Sequence, residues 1–286
     1  MQFWIIQTLN SLALGGLLFL LSAGFSLIFG LMRIANLTHG ALFMLGAYVG
    51  VTVLKYVPNL WLAALIGGLI VAAFGGLIER FVLRALAGNA FGQVLVTLGI
   101  AFIIADFCLI VWGGDPIPVP TPEYLRQPLV VAGVAFPTYR LVVIGIAIVT
   151  AIVLHLLMER TRLGAMIRAG VDDMQMARAV GIPVSRLFTI VFCLGSALAG
   201  AGGIIGGPIL SAYPGLDFDM LPLALIIVIL GGVGSLIGAF VGSFIIGFIY
   251  TFGSALLPDL AYVILFLPMI FVIAFRPRGL FGRAST

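Results

Sequence analysis

Charge is what this chain has least of. Of 286 residues, 8% are charged and 63% are hydrophobic. An ordinary soluble domain carries roughly 25% charged residues. So few charges cannot hydrate an aqueous surface, whereas lipid asks nothing polar of an outer face. Lysine occurs once, at Lys55 after Leu54, so a phosphate-cradling loop of the form GxxxxGK[ST] cannot be built. The chain itself is therefore expected not to hydrolyse ATP and not to be an enzyme. Histidine occurs only at His39 and His155, and no HExxH motif or carboxylate-rich cluster lies in any apolar run. Membrane hydrolases and metalloproteases are left without support, and neither a metal nor a cofactor is called for. Cys108 and Cys193 both fall in apolar runs, where they read as small buried hydrophobes and offer no disulfide framework.

The gaps between charges have the length of membrane spans. No charge precedes Arg33, none separates Arg33 from Lys55 or Lys55 from Glu79, and Met220 to Pro258 is also free of charge. About 20 apolar residues cross the hydrocarbon core as a helix. The runs are continuously apolar instead of alternating with period two, which argues against a transmembrane barrel. Met1 to Leu31 has no basic n-region and is too long for a signal-peptide core, so it reads as a mature span. Spans are expected at Leu12–Leu31, Gly40–Val57, Leu60–Leu83, Phe91–Trp112, Leu141–Leu157, Leu187–Leu210, Met220–Gly234, Ile237–Leu257 and Leu260–Phe275. The seventh is short enough to be a tilted or broken helix. The expected fold is an all-α polytopic membrane protein of about 8–9 transmembrane helices, a single transmembrane domain over residues 1–286.

Arginine sets the orientation. With Glu79–Arg84 cytoplasmic, alternation places Arg33, Arg80, Arg84, Arg160, Arg162, Arg168, Arg178, Arg186, Arg276, Arg278 and Arg283 on one side, and only Lys55, Arg126 and Arg140 on the other. This bias makes the crowded side cytoplasmic. The C-terminus is then cytoplasmic and the N-terminus external. The net charge of +4 reports this asymmetry, not nucleic-acid binding. The external connection 113–140 is rich in proline (Pro116, Pro118, Pro120, Pro122, Pro128 and Pro137), which predicts an ordered, extended segment.

Small residues recur every fourth position at Gly195, Ala199, Gly203 and Gly207, and again at Gly234, Gly238 and Gly242. Such ladders let helix backbones approach closely, either as static packing or as sliding surfaces. Polar groups at membrane depth are few. Asn36, Thr38 and His39 form one break between spans, Thr97 and Asp106 lie on the fourth, and Ser196 on the sixth. These are candidates for a solute pathway. His39 can touch solute or bond backbone at a helix break. Asp106, the one acidic candidate noted within the spans, can hold an ammonium group, meet a neighbouring subunit or face water.

The cytoplasmic loop 159–186 is the most polar stretch. Asp172 or Asp173 can cap a helix over Met174–Val180, Gly181 can supply a left-handed C′ residue, and Pro183 stops continuation. A helix of two turns is marginal alone in water, so it must dock. Met174, Ala177 and Val180 share one expected face, and Met176 pairs with Val180. It packs under its own spans or inserts into a cytoplasmic partner, for which flexible methionines are suited.

These pieces together resemble the LivH-type permeases of branched-chain amino acid ATP-binding-cassette importers. The matching stretches run the length of the chain: Asn36-Leu-Thr-His-Gly40, Ile78-Glu-Arg-Phe-Val-Leu-Arg84, Arg162-Leu-Gly, Asp172/Asp173 to Gly181-Ile182, Phe192-Cys-Leu-Gly-Ser-Ala-Leu-Ala-Gly200, Leu230-Gly-Gly-Val-Gly-Ser235 and Arg276-Pro-Arg-Gly-Leu-Phe-Gly282. The resemblance implies a multi-pass subunit of a bacterial inner membrane, surrounded by lipid. It would pair with a second, homologous LivM-like permease, two ATP-binding subunits and a periplasmic binding protein that delivers a branched-chain amino acid or a related amino or organic acid. It makes Arg168, Asp172, Asp173, Met174, Gln175, Met176, Ala177, Arg178 and Gly181 the coupling segment facing the ATPase. The EAA sequence of other importer permeases is absent, so the segment's role is implied without pairwise contacts. Relatives of such permeases are also linked to short amides, urea and aromatic acids. A stand-alone carrier or channel, and a structural membrane subunit, are the alternative classes.

Overall fold

In lipid a backbone must satisfy its own N–H and C=O groups, so the apolar runs close into helices. The computed structural model describes residues 1–32, 36–131, 133–276 and 278–282. Its helices are α1 (Gln2–Met32), α2 (Thr38–Tyr56), α3 (Leu60–Leu77), α4 (Ala90–Trp112), α5 (Thr138–Arg160), α6 (Arg162–Asp172), α7 (Met174–Ala179), α8 (Val184–Leu210), α9 (Leu216–Gly231), α10 (Leu236–Leu256) and α11 (Ala261–Phe275). Six of them (α1, α3 with its extension to Leu86, α4, α5, α8 and α10) are long and apolar enough to cross a membrane. Side chains of Asn59, Asn89, Thr161, Asp173 and Ser235 cap the N-termini of α3, α4, α6, α7 and α10, satisfying donors that have no partner within a helix.

Each expected span corresponds to one of these helices, but α2, α9 and α11 are not among the six that meet the requirement for a crossing, and α1 starts at Gln2, ten residues before the expected Leu12. Three further differences lie at the edges. Helix α9 begins at Leu216 and takes Asp217 and Asp219 into its first turn. Carboxylates there face the positive end of the helix dipole, so a boundary drawn at the last charge falls four residues late. Gly234 of the second ladder is outside any helix, in the α9–α10 turn with φ +76. The segment 113–140 folds beyond a plain extended connection. Strands β1 (Pro128–Val131) and β2 (Val134–Pro137) pair antiparallel with Leu129 opposite Phe136, Ile117 bridges to Ala212, and α5 already starts at Thr138.

The bundle has two distinct ends. At one, Gly30 near the close of α1 meets Gly234, the tail bonds back through Leu280 N to Leu230 O and Phe281 N to Gly231 O, and Arg84 reaches Ser185 at the start of α8. This arginine end collects Arg80, Arg84, Arg160, Arg162, Arg168, Arg178, Arg186, Arg276 and Arg278. Arg33 and Arg283 lie outside the described residues. The hairpin end holds Lys55, Arg126 and Arg140, with Arg140 bonded to Asn10 of α1.

Helix α1 thus runs from hairpin end to arginine end, and α8 runs the opposite way. Each is followed by one helix and then by a second, α3 with its extension to Leu86 in one case and α10 in the other, that is longer than the first. Helix α1 packs along α10 as α8 packs along α3, and α2 and α9 meet. The quartets α1–α4 and α8–α11 therefore share an order and a packing pattern in inverted sense, an architecture that puts solute sites at the repeat interface of transporters. The ladders make this packing possible. A Cβ on Gly24 would stand 2.5 Å from Gly195 O, one on Gly242 3.1 Å from Ile227 O, and one on Gly203 would collide with Phe43 O of α2. Ala199 is fully buried between them, Gly207 abuts Val119, and Gly238 abuts Gly231.

Candidate functional site

The first site lies inside the bundle, where α2 and α9 begin. His39 Nε2 is 2.9 Å from Leu21 O. Leu21 is eleven residues before the end of α1 at Met32, about 16 Å at 1.5 Å per residue. Helix α2 therefore starts at depth, not at the membrane surface. Opposite it, the backbone of Asp217 closes on Gly40: an added Cβ at Gly40 would lie 2.7 Å from Asp217 O and 2.8 Å from Leu221 Cβ. Only glycine lets the two short helices touch there. With 19 and 16 residues, α2 is at and α9 just below the length that crosses the hydrocarbon core, and burial in protein over most of their length removes the need for a full crossing.

The polar break expected at Asn36–His39 is locked to α4. Thr38 Oγ1 donates to Thr97 O at 2.8 Å, and Leu37 N donates to Thr97 Oγ1 at 3.3 Å. Asn36 Oδ1 accepts from Thr38 N at 3.1 Å, capping the turn. His39 packs against the Phe25 ring at 5.4 Å. Its Nε2 points at a carbonyl, so that nitrogen carries the proton. Asn36, Thr38, His39 and Thr97 are all at most 2% exposed. Three polar atoms of this region have no hydrogen-bond partner: Asn36 Nδ2, His39 Nδ1 and Asp217 Oδ1. The structure thus gathers four of the six pathway candidates and adds Asp217.

The other two candidates lie elsewhere. Ser196 is buried on the face of α8 against Gly75 of α3. Asp106 is exposed on the outer face of α4, a turn from Phe102, whose ring meets Phe218 of α9 at 5.9 Å. Asp219 is exposed beside Phe218 and accepts from Tyr213 Oη at 2.6 Å. A carboxylate at membrane depth costs about 2.5–3.5 kcal/mol in lipid, so this face suits protein or water better than acyl chains.

The second site is the arginine end. The polar connection holds two helices, not one. Helix α6 buries Ile167 and Gly170, the latter against Leu31 and Leu187, while Arg168 pairs with Glu159 at 3.6 Å. A break at Asp173 then starts α7. Asp173 Oδ1 accepts from Gln175 N and Met176 N, both at 2.9 Å. Gly181 has φ +86. Ile182 N returns to Ala177 O and Gly181 N to Arg178 O, both at 3.0 Å, which is the Schellman closure. The expected face Met174–Ala177–Val180 is split. Ala177 is buried and Met174 half-buried, while Met176 is 61% and Val180 68% exposed. Asp172, Gln175 and Arg178 are exposed as well. Ala177 holds the helix down, and Met176 and Val180 form the outward apolar pair.

Just beyond α7, α8 is clamped to α3. The end of α3 widens into a π-helical stretch, Ile78–Leu83, a feature common at functional sites. It turns Glu79 inward, where it is fully buried. Arg84 Nη2 meets Glu79 Oε2 at 2.9 Å, and Thr189 Oγ1 of α8 donates to the same oxygen at 2.6 Å. Arg84 Nη2 also donates to Ser185 O at 2.9 Å. This ion pair was not visible as a site in the sequence, although the motif Ile78–Arg84 contains both charges. A glutamate five residues from an arginine at the end of an apolar run is the signal that could have found it.

The chain matches the family model described as branched-chain amino acid transport system / permease component over residues 7–273. It is 28% identical to the high-affinity branched-chain amino acid transport system permease protein BraD of Pseudomonas aeruginosa, over 97% of this chain and 95% of that one. It is 25% identical to the permease protein LivH of the corresponding system of Escherichia coli K12, over 98% and 96%. It is also 28% identical to a probable LivH of Methanocaldococcus jannaschii, over 78% and 72%. No solved structure matches significantly.

Proposed function

The chain belongs to the permease components of branched-chain amino acid transport systems, and on that premise we propose that it lines the path of a small amino acid through an ATP-driven importer. The observation that carries this reading is α7. It is a short, doubly capped helix with Met176 and Val180 outward, on the end of the bundle that holds nine arginines. Such a helix has the form of an insert for a cleft in a separate ATPase. Positive-inside bias makes that end cytoplasmic, and the hairpin end with the first residues of α1 periplasmic, in a bacterial inner membrane.

Two ATP-binding subunits dock on this chain and on a second, LivM-like permease, and a periplasmic binding protein delivers the cargo at the hairpin end. The exposed face of α4 and of the α9 start, with Asp106, Phe102, Phe218 and Asp219, is turned toward the second permease. ATPase closure pushes α7. The Glu79–Arg84–Thr189 clamp passes the push to α3, and the inverted quartets rock as packed bodies. The solute passes the polar break at Asn36, Thr38, His39 and Thr97.

Affinity purification of the tagged chain from native membranes in mild detergent tests this directly. Two ATP-binding subunits and a second permease are expected to follow it. Met176→Asp together with Val180→Asp should leave the two permeases paired and strip the ATPases. Isolation without any ATP-binding subunit would sink the reading.

A further inference from the structure

We propose that the junction of α2 and α9 is a recognition site for the zwitterionic head of an α-amino acid, with Asp217 Oδ1 accepting from its ammonium and Asn36 Nδ2 donating to its carboxylate. The proposal rests on the importer reading and narrows it, since urea and aromatic acids bring no ammonium. Asp217 is 4% exposed, and its Oδ1 has no partner. The ion pairs among the described residues are Arg84–Glu79, Arg126–Glu123 and Arg168–Glu159, and none reaches it.

A buried carboxylate oxygen without a hydrogen bond is costly, and a charge without a counter-ion more so. Ionisable residues at membrane depth mark solute sites. The first turn of α9 offsets part of the cost through its dipole.

Asn36 supplies the complementary group. It is 2% exposed, its Oδ1 is engaged in capping Thr38 N, and its two Nδ2 protons are free. It lies four residues before Gly40, in the turn that leads into α2, and the backbone of Gly40 touches Asp217. A free acceptor and a free donor, on the two elements that meet at Gly40, are the complements of an ammonium and a carboxylate. Both groups are closed over in this structure, so binding requires α2 and α9 to part at Gly40. That motion is the one two short helices on inverted quartets allow.

The test uses the complete complex, with its partner permease, ATPases and binding protein, in proteoliposomes, and pooled radiolabelled L-amino acids as the probe. Wild type should accumulate label. Asp217→Asn should lose uptake tenfold or more at an unchanged amount of assembled complex, with Asp217→Glu recovering part of it. Asn36→Ala should lose several-fold, and it carries the test if the Asp217 variants do not assemble. Uptake by Asp217→Asn or by Asn36→Ala at the wild-type rate overturns the proposal. So does wild-type uptake confined to urea or benzoate. Loss of the ATPases from the wild-type complex would instead overturn the importer reading.

Discussion

The arginine end and the α2–α9 junction handle polar groups in opposite ways. At the arginine end Glu79 is as deeply buried as any junction residue, yet every oxygen of its carboxylate is engaged by Arg84 or Thr189. At the junction the hydroxyls of Thr38 and Thr97 are engaged, but Asn36, His39 and Asp217 each keep one free polar atom. The clamp reads as machinery that must hold through a cycle. The junction reads as a surface awaiting a ligand. Partnered burial gives rigidity, and a cluster of unpartnered buried groups leaves bonding for another molecule to complete.

The largest expected effect sharpens the first half of that contrast. Arg84→Ala strands Glu79, and loss of one partner from a buried pair costs about 3–5 kcal/mol. The lower end applies, because the Arg84 side chain keeps 37% exposure. Thermal unfolding in detergent should show a clear fall in Tm that Glu79→Gln partly reverses. A Tm unchanged by Arg84→Ala would mean the clamp holds nothing.

Next comes Gly40→Ala, which pushes a methyl group onto Asp217 O at the closest α2–α9 contact. Overpacking of this kind costs about 1–3 kcal/mol. It should also keep the junction from closing again after it opens, so uptake should fall more than stability does. Equal losses would make Gly40 a packing residue only.

The smallest effect belongs to α7. Asp173→Ala removes the cap from Gln175 N and Met176 N, worth about 1 kcal/mol in an exposed helix. Global Tm should move little, while amide exchange over residues 174–179 rises. Unaltered exchange would show that docking of Ala177 alone holds the helix.

How far these regions were legible in the sequence follows the same division. Helix α7 was readable because its start and stop are local: an aspartate, a left-handed glycine and a proline within a dozen residues. Its outward pair was not. Ala177 faces inward because α8 and α6 pack there, and a six-residue helix has too little periodicity to tell which side is covered. Helix α6 is hard to see in the sequence since its cap, Thr161, stands between Arg160 and Arg162, charges that read as loop. The spans were legible from apolar length alone.

The junction was half legible. Asn36, Thr38 and His39 stood out as polar residues among apolar ones, but depth is not written in composition. That α2 starts beside Leu21, and that Gly40 meets Asp217, are contacts between residues far apart in the chain. Asp217 escapes any reading that ends a span at its last charge, whereas the first turn of a helix that starts inside the bundle is where a carboxylate can stay within the membrane.

The central claim is that this chain moves its solute only when a separate ATPase drives it. The direct measurement is solute accumulation in proteoliposomes carrying the whole complex, with and without ATP on the arginine-end side, in the presence of an ionophore that removes ion gradients. Uptake that requires ATP, ignores the ionophore and disappears in the Met176→Asp, Val180→Asp double variant is the predicted result. Uptake that continues without ATP, or that collapses with the ion gradient, would contradict it.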